Sequence, residues 1–216
     1  MIRLSSYIFC AALGTGLLSC GSNTTTSSKS AADLAPVDNT VSGWTVDKVH
    51  NKGGGAQPMI ATTKDDAIGL IDGGAAPFYK DPFTPKEFLW QNYVNATLPA
   101  APPSKDNPVG ASLVLYILQM PSADQASGLY SALLNESEYT GNKGTPDDWQ
   151  PTSPLLGTES RIEDTRTAWW INFHQGVFYV EVMLTPSYGP GPDFTPANAD
   201  LKQEAFRFAQ TIASNM

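Results

Sequence analysis

The stretch that decides the fold is the apolar segment at residues 109–120, VGASLVLYILQM. A strand with one solvated face alternates between apolar and polar residues, whereas a strand buried on both faces does not. This segment is apolar at both sets of alternating positions, which are Leu113, Leu115 and Ile117 on one side and Val114, Tyr116 and Leu118 on the other. It therefore predicts a central strand with packing on both faces.

A hairpin near the C-terminus supports the same sheet. Two apolar runs flank Gln175-Gly176, which predicts a two-residue turn. The cross-strand pairs that this turn predicts are Phe173 with Phe178, Ile171 with Val180 and Trp169 with Val182. All six residues lie on one face of the hairpin, as a strand pair that lines a core requires.

Three helices are predicted from their first residues. Thr63 is followed three residues later by Asp66, and Ser122 is followed three residues later by Gln125. Both spacings are typical of residues that cap a helix N-terminus. The dipeptide Thr195-Pro196 predicts the start of a third helix at the end of the chain.

The order of these elements indicates the fold class. We predict a strand at residues 86–95 and a long polar loop at residues 138–154. Hairpins that are separated by helices are typical of an antiparallel sheet with helices packed on it. The sequence therefore predicts an α+β domain.

The first twenty residues have the organisation of an export signal. Arg3 provides a positive start, residues 4–18 are mostly apolar and uncharged, and Ser19 places a small residue before Cys20. The apolar run is shorter than the roughly 20 residues that cross a membrane as a helix. Leu17-Leu18-Ser19-Cys20 resembles the bacterial lipobox, which implies removal of residues 1–19 and acylation of Cys20.

The lipobox resemblance also implies a location. Two or more acyl chains on one cysteine anchor a protein stably to a bilayer. Gly21 occupies the position where an aspartate retains many lipoproteins at the inner membrane, so we expect an outer-membrane protein that faces the periplasm. The alternative is an ordinary secretory signal with an incidental cysteine.

Composition bounds what the mature chain can do. Residues 20–40 are rich in Ser and Thr and predict a flexible tether, and residues 41–216 predict a single domain. The formal net charge is −8, which argues against nucleic acid as a partner. The only cysteines are Cys10, which lies in the signal, and Cys20. We therefore expect no thiol chemistry in the domain, and we predict no cofactor.

Two segments together suggest a family. The chain has Ile71-Asp72-Gly73-Gly74-Ala75 and, after a strand that ends in Met120, Ala-Ser-Gly-Leu-Tyr-Ser at residues 126–131. The combination resembles an uncharacterised family of bacterial exported proteins, and the closing hairpin and helix resemble the topology of the Mog1/PsbP group. The resemblance implies export and a fold, and it implies no activity.

The Asp-Gly-Gly motif is the sharpest local candidate for a site. Asp72 beside the exposed backbone N–H groups of Gly73 and Gly74 could orient a ligand or a metal ion. The structural interpretation is that Asp72 caps a neighbouring loop while the glycines allow close packing. We favour the structural interpretation.

The second face of the hairpin is the other candidate, and it carries Trp170, His174, Tyr179 and Glu181. If this face is open, it suits a ligand or a protein partner, and if a helix covers it, it is core. We favour burial, and we expect His174 to be an exposed polar residue beside the turn.

Two functions follow from these candidates. The first is a non-enzymatic envelope lipoprotein that binds an envelope protein or a small ligand, or has a structural role. The alternative is a hydrolase or metal-dependent enzyme that uses Asp72, His174 or Glu181 in a cleft.

Overall fold

The structure is a computed structural model, and it describes residues 29–49, 58–98, 111–143, 145–164, 168–185 and 195–216. Five α-helices and eight strands lie in these ranges, with short 3-10 helices at Ala76–Tyr79 and Pro146–Asp148. The helices are α1 (Ala31–Leu34), α2 (Lys64–Leu70), α3 (Ala123–Leu133), α4 (Ser137–Lys143) and α5 (Thr195–Ser214). The strands are β1 (Thr45–Val46), β2 (Met59–Ala61), β3 (Glu87–Asn95), β4 (Ala111–Gln119), β5 (Trp149–Pro151), β6 (Glu159–Asp164), β7 (Trp169–Gln175) and β8 (Phe178–Thr185).

All eight strands form one antiparallel sheet. The strand order is β1-β3-β4-β8-β7-β6-β5, and β2 also pairs with β3. The prediction of an α+β domain is confirmed. The predicted central position is also confirmed for residues 111–119, because they form β4, which lies between β3 and β8.

Helices cover both faces of the sheet. On one face, the α5 face, helices α1 and α5 pack against a core that includes Leu115, Phe173 and Val182. On the other, the α3 face, α2, α3, α4 and the 3-10 helix at Ala76–Tyr79 contribute to a second core with Phe88, Leu118 and Tyr179. The two cores explain why β4 is apolar at both sets of positions.

The packed domain begins before the predicted boundary. Residues 29–40 belong to the predicted tether, yet Ser30 caps α1 in a reciprocal pair of hydrogen bonds with Asp33. Ala31 and Leu34 are buried in the core of the α5 face together with Trp44. This burial holds residues 29–40 against the sheet despite their polar composition. Residues 20–28 of the predicted tether, and the predicted signal, lie outside the described residues.

The C-terminal hairpin has the predicted faces but a different register. Phe173 pairs with Val180, not with Phe178, because the turn residues are Gly176 and Val177. Gly176 has a φ of +55°. This matches a type II′ turn, which favours glycine at the first central position. The shift is two residues, so every side chain keeps its predicted face.

Residues 138–154 do not form the predicted long loop. They include most of α4, the 3-10 helix at Pro146–Asp148 and the edge strand β5. The buried side chains of Tyr139 and Trp149 attach this segment to the α3 face. Tertiary contacts therefore order a segment whose own composition is polar.

Within the described ranges, no helix is both long enough and apolar enough to cross a membrane.

Candidate functional site

The Asp-Gly-Gly motif lies in an exposed turn after α2. Asp72 and Gly73 have φ angles of +48° and +89°, and α2 has already ended at Leu70. A Cβ on Gly74 would lie 3.2 Å from the carbonyl oxygen of Ile71. Glycine at these two positions therefore allows the backbone to form a tight turn, which favours the structural interpretation of the motif.

His174 is buried, so the prediction of an exposed residue is wrong. It is 4% exposed, and its ring centroid lies 5.2 Å from that of Tyr130 on α3. Its Nε2 lies 3.5 Å from a carboxylate oxygen of Glu159 on β6. Helix α3 covers this part of the hairpin, which the hairpin sequence alone does not reveal.

The elements nearest in sequence to Asp72 and His174 pack at different places on the sheet. Helix α2 packs against β2, which extends the sheet beyond β3, whereas His174 is on β7. Strands β3, β4 and β8 lie between β2 and β7 in the sheet. With about 4.8 Å between neighbouring strands, β2 and β7 are roughly 19 Å apart.

Glu181 is the centre of a buried polar cluster on the α3 face, which we call the Glu181 cluster. Its members are Tyr139, Lys143, Asn172, Tyr179 and Glu181. The glutamate is 0% exposed, as are Asn172 and Tyr179. The prediction that a helix covers this face of the hairpin is confirmed.

The carboxylate of Glu181 accepts hydrogen bonds at both oxygens. Lys143 Nζ lies 2.5 Å from Oε1, and Tyr139 Oη lies 2.7 Å from Oε2. Oε2 also accepts from Tyr179 Oη at 3.2 Å and from Asn172 Nδ2 at 3.3 Å. The amide of Asn172 donates to both tyrosine hydroxyls as well.

The ammonium of Lys143 lies among aromatic rings. It is 4.1 Å from the ring centroid of Tyr139, 4.4 Å from that of Trp170 and 5.6 Å from that of Phe78. Its side chain is 13% exposed. Such contacts stabilise a partly desolvated cation through the electron-rich ring faces.

Burial controls protonation in the cluster. It raises the pKa of Tyr139 and Tyr179 well above the ordinary tyrosine value, and the charge of Glu181 raises both further. Burial lowers the pKa of Lys143, although the neighbouring Glu181 opposes that shift. Both tyrosines therefore remain protonated donors near neutral pH.

This arrangement suits structure better than catalysis. The donors that saturate Glu181 all belong to this chain, and three members of the cluster have no exposed surface. A general acid or base must reach a proton of its substrate within hydrogen-bond distance. Glu181 has no such access in this structure.

The sequence did not identify Tyr139, Lys143 or Asn172 as site residues. Asn172 could have been noticed in the sequence, because it is a polar residue in an otherwise largely apolar strand. Tyr139 and Lys143 stand four residues apart on α4, which places them on one helix face. That signal becomes visible only once α4 is known to be a helix.

Arg161 forms a second buried polar group on the same face. It lies on β6 directly opposite Asn172 and is 5% exposed. Its guanidinium carbon is 4.1 Å from the ring centroid of Tyr130 and 5.2 Å from that of Trp149. Glu163, two residues further along β6, is 3% exposed.

A surface pocket lies beside the N-terminal segment. Its volume is about 340 Å³, and its walls include Ala32, Val37, Asp38, Val46 and Gln91. Val37 is 71% exposed. The pocket is therefore an accessible, largely apolar surface at the α1 end of the domain.

In the described part of the chain, no group of three or more His, Cys, Asp or Glu side chains is placed to hold a metal ion.

Comparison with known proteins finds no family model that matches the chain and no curated protein that is significantly similar to it.

Proposed function

We propose that this protein is an exported lipoprotein that is anchored in the cell envelope through acylated Cys20, and that its domain binds a partner or a small ligand without catalysis. The observation that carries the anchor is the segment Leu17-Leu18-Ser19-Cys20 after an uncharged apolar run. The observation that supports a non-catalytic role is the saturated, buried carboxylate of Glu181.

The packed N-terminal segment limits the distance between the domain and the lipid. Residues 21–28 separate Cys20 from Lys29, the first described residue. Nine residue steps span at most roughly 30 Å when fully extended. The domain would therefore operate close to the bilayer, and a location on the periplasmic face of the outer membrane agrees with Gly21.

Membrane fractionation tests the anchor. The wild type is expected in the membrane fraction, and Cys20→Ser is expected in the soluble fraction. Cys10→Ser, in the apolar part of the signal, is the matched control and should leave the protein in the membrane. Mass spectrometry of the wild type should give a chain that begins at an acylated Cys20. A wild type that is soluble and unlipidated would refute the proposal.

Crosslinking from the surface tests the binding role. A photoreactive residue at Val37, in the pocket beside α1, is expected to capture a defined partner in intact cells. Leu155 is the matched control because it is also apolar and 61% exposed, and it does not line that pocket. Equal products from both positions, or none from Val37, would count against binding at this surface.

The alternative of a hydrolase or metal-dependent enzyme using Asp72, His174 or Glu181 is not favoured. Asp72 is exposed on the turn that follows α2, whereas His174 and Glu181 are buried on β7 and β8. A side chain that acts on a substrate must reach it within hydrogen-bond distance, and His174 and Glu181 have almost no exposed surface.

A further inference from the structure

The guanidinium group of Arg161 lies beside two aromatic rings. The rings of Tyr130 and Trp149 lie near the group, at 4.1 Å and 5.2 Å from its central carbon. Aromatic rings interact with the face of a guanidinium and leave its N–H groups free to donate. The N–H groups that need an acceptor are those of Nε and Nη2, which lie on one edge of the group.

Both nitrogens of that edge are buried and have no hydrogen-bond partner among the described residues. None of the ion pairs that the structure describes includes Arg161. An arginine side chain keeps its charge in a protein, and a buried charge without a partner is strongly unfavourable. The edge therefore requires an acceptor.

The surroundings of the edge limit what that acceptor can be. Trp149 Nε1 is also a buried donor without a described partner, and Asn172 Oδ1, across the strand pair from Arg161, is a buried acceptor without one. Glu181 is already paired with Lys143, and His174 lies beside Glu159. The buried carboxyl group of Glu163 follows two residues after Arg161 on the same strand face.

We propose that the Nε and Nη2 edge of Arg161 binds the carboxylate of a small monocarboxylate ligand. The two coplanar N–H groups match the two oxygens of a carboxylate, and the ligand charge would balance the guanidinium. Water would satisfy the hydrogen bonds without balancing the charge. A ligand with a single negative charge matches the single positive charge of the guanidinium. Arg161 does not line the pocket beside α1, so the inference adds a second site, with a ligand class, to the binding role proposed above. It does not depend on lipid anchoring.

Titration of the full-length protein in detergent with formate tests the inference. Formate is the smallest carboxylate, and it suits an edge whose nitrogens are buried. The readout is the indole N–H signal of Trp149 in heteronuclear NMR spectra, assigned from its absence in Trp149→Phe. At constant ionic strength, the wild type should show a saturable shift of this signal, and acetate should compete.

Two lysine variants localise the binding. Arg161→Lys keeps the charge but loses the paired N–H groups, so formate should bind about tenfold more weakly or worse. Arg207→Lys is the matched control, because Arg207 is an arginine of α5 with its own partner, Glu204. It should bind formate as the wild type does.

Three results would overturn the inference. The first is a wild-type Trp149 signal that does not shift, which would mean that water occupies the edge. The second is an equal shift with chloride, which would indicate an adventitious ion only. The third is undiminished binding by folded Arg161→Lys. If that variant does not fold, the wild-type titration with formate and chloride decides alone. None of these results bears on membrane fractionation of Cys20→Ser.

Discussion

Lys143, the last residue of α4, places its ammonium 2.5 Å from Oε1 of Glu181 on β8. The pair joins residues 38 positions apart and lies among the rings of Tyr139 and Trp170. Glu181 has no exposed surface and Lys143 has little. The contact therefore attaches a short helix to the centre of the sheet, and it differs from a solvated surface ion pair.

Removal of Lys143 should strongly destabilise the domain. Lys143→Met leaves Glu181 buried without its counter-charge, and loss of one partner of a buried pair costs about 3–5 kcal/mol. Urea denaturation should show this as a lower free energy of unfolding. The double variant Lys143→Met/Glu181→Gln should recover much of the loss, because no uncompensated charge remains.

Lys80→Met is the control for that experiment. Lys80 pairs with Glu136, but its side chain is 62% exposed. Its replacement should change the free energy of unfolding far less than Lys143→Met does. Equal losses of unfolding free energy in the two variants would show that the buried Lys143–Glu181 pair stabilises the domain no more than the exposed Lys80–Glu136 pair does.

Stability should fall at high pH, and Tyr93 should account for part of the fall. Burial, followed by the charge of Asp38, raises the pKa of Tyr93 far above its ordinary value of about 10. Above about pH 10 the unfolded chain loses this proton while the folded chain keeps it. The unfolded state then binds fewer protons, so each further pH unit removes about 1.4 kcal/mol of stability.

In Tyr93→Phe, the free energy of unfolding should fall less steeply with pH above about pH 10, by about 1.4 kcal/mol per pH unit. The variant also loses the hydrogen bond from Tyr93 Oη to Pro36 O, a loss that is the same at each pH. The lowered pKa of Lys143 acts in the opposite direction below its unfolded value, but it is present in both proteins and cancels in the difference. Urea denaturation from about pH 9 to about pH 11 measures both slopes. Parallel curves would contradict the assignment.

The sequence predicted the sheet better than it predicted the site. Strand β4 could be identified because Leu115 and Tyr116 are both apolar although they point to opposite faces. The faces of the hairpin were predicted correctly because the error in register was an even number of residues. The apolar pattern of β4 and the alternating faces of the hairpin can each be read from the residues of the strands themselves.

The site depends on contacts between distant parts of the chain. Helix α4 has the sequence SEYTGNK, in which Tyr139 is the single large apolar residue. Its docking depends on Glu181, which is far along the chain. No local pattern carries that information, so Lys143 and Tyr139 could not be found before the fold was known.

The contribution of α1 can be tested at one residue. Leu34 is 1% exposed in the core of the α5 face, and Leu34→Ala should reduce the free energy of unfolding by about 2–5 kcal/mol. Val37→Ala is the control, since Val37 is 71% exposed and its replacement should change stability by less than about 0.5 kcal/mol. If both variants are as stable as the wild type, residues 29–40 act as a tether after all.

The two turn glycines near the hairpin should differ in what they tolerate. Gly157 and Gly176 both have positive φ angles, of +60° and +55°, so alanine should cost about 1–3 kcal/mol of strain at either position. A Cβ on Gly176 would meet nothing within 4 Å, whereas a Cβ on Gly157 would lie 2.5 Å from the carbonyl oxygen of His174. That oxygen accepts the hydrogen bond from Thr158 N at 2.8 Å.

Gly157→Ala should therefore be the more harmful replacement, because it adds a backbone clash to the shared strain and disturbs the start of β6. Thermal unfolding of Gly157→Ala and Gly176→Ala measures the difference directly. A melting temperature for Gly157→Ala equal to that of Gly176→Ala would show that β6 and β7 can separate at this point without loss. The close approach of Gly157 to His174 would then contribute nothing to holding β6 against the hairpin.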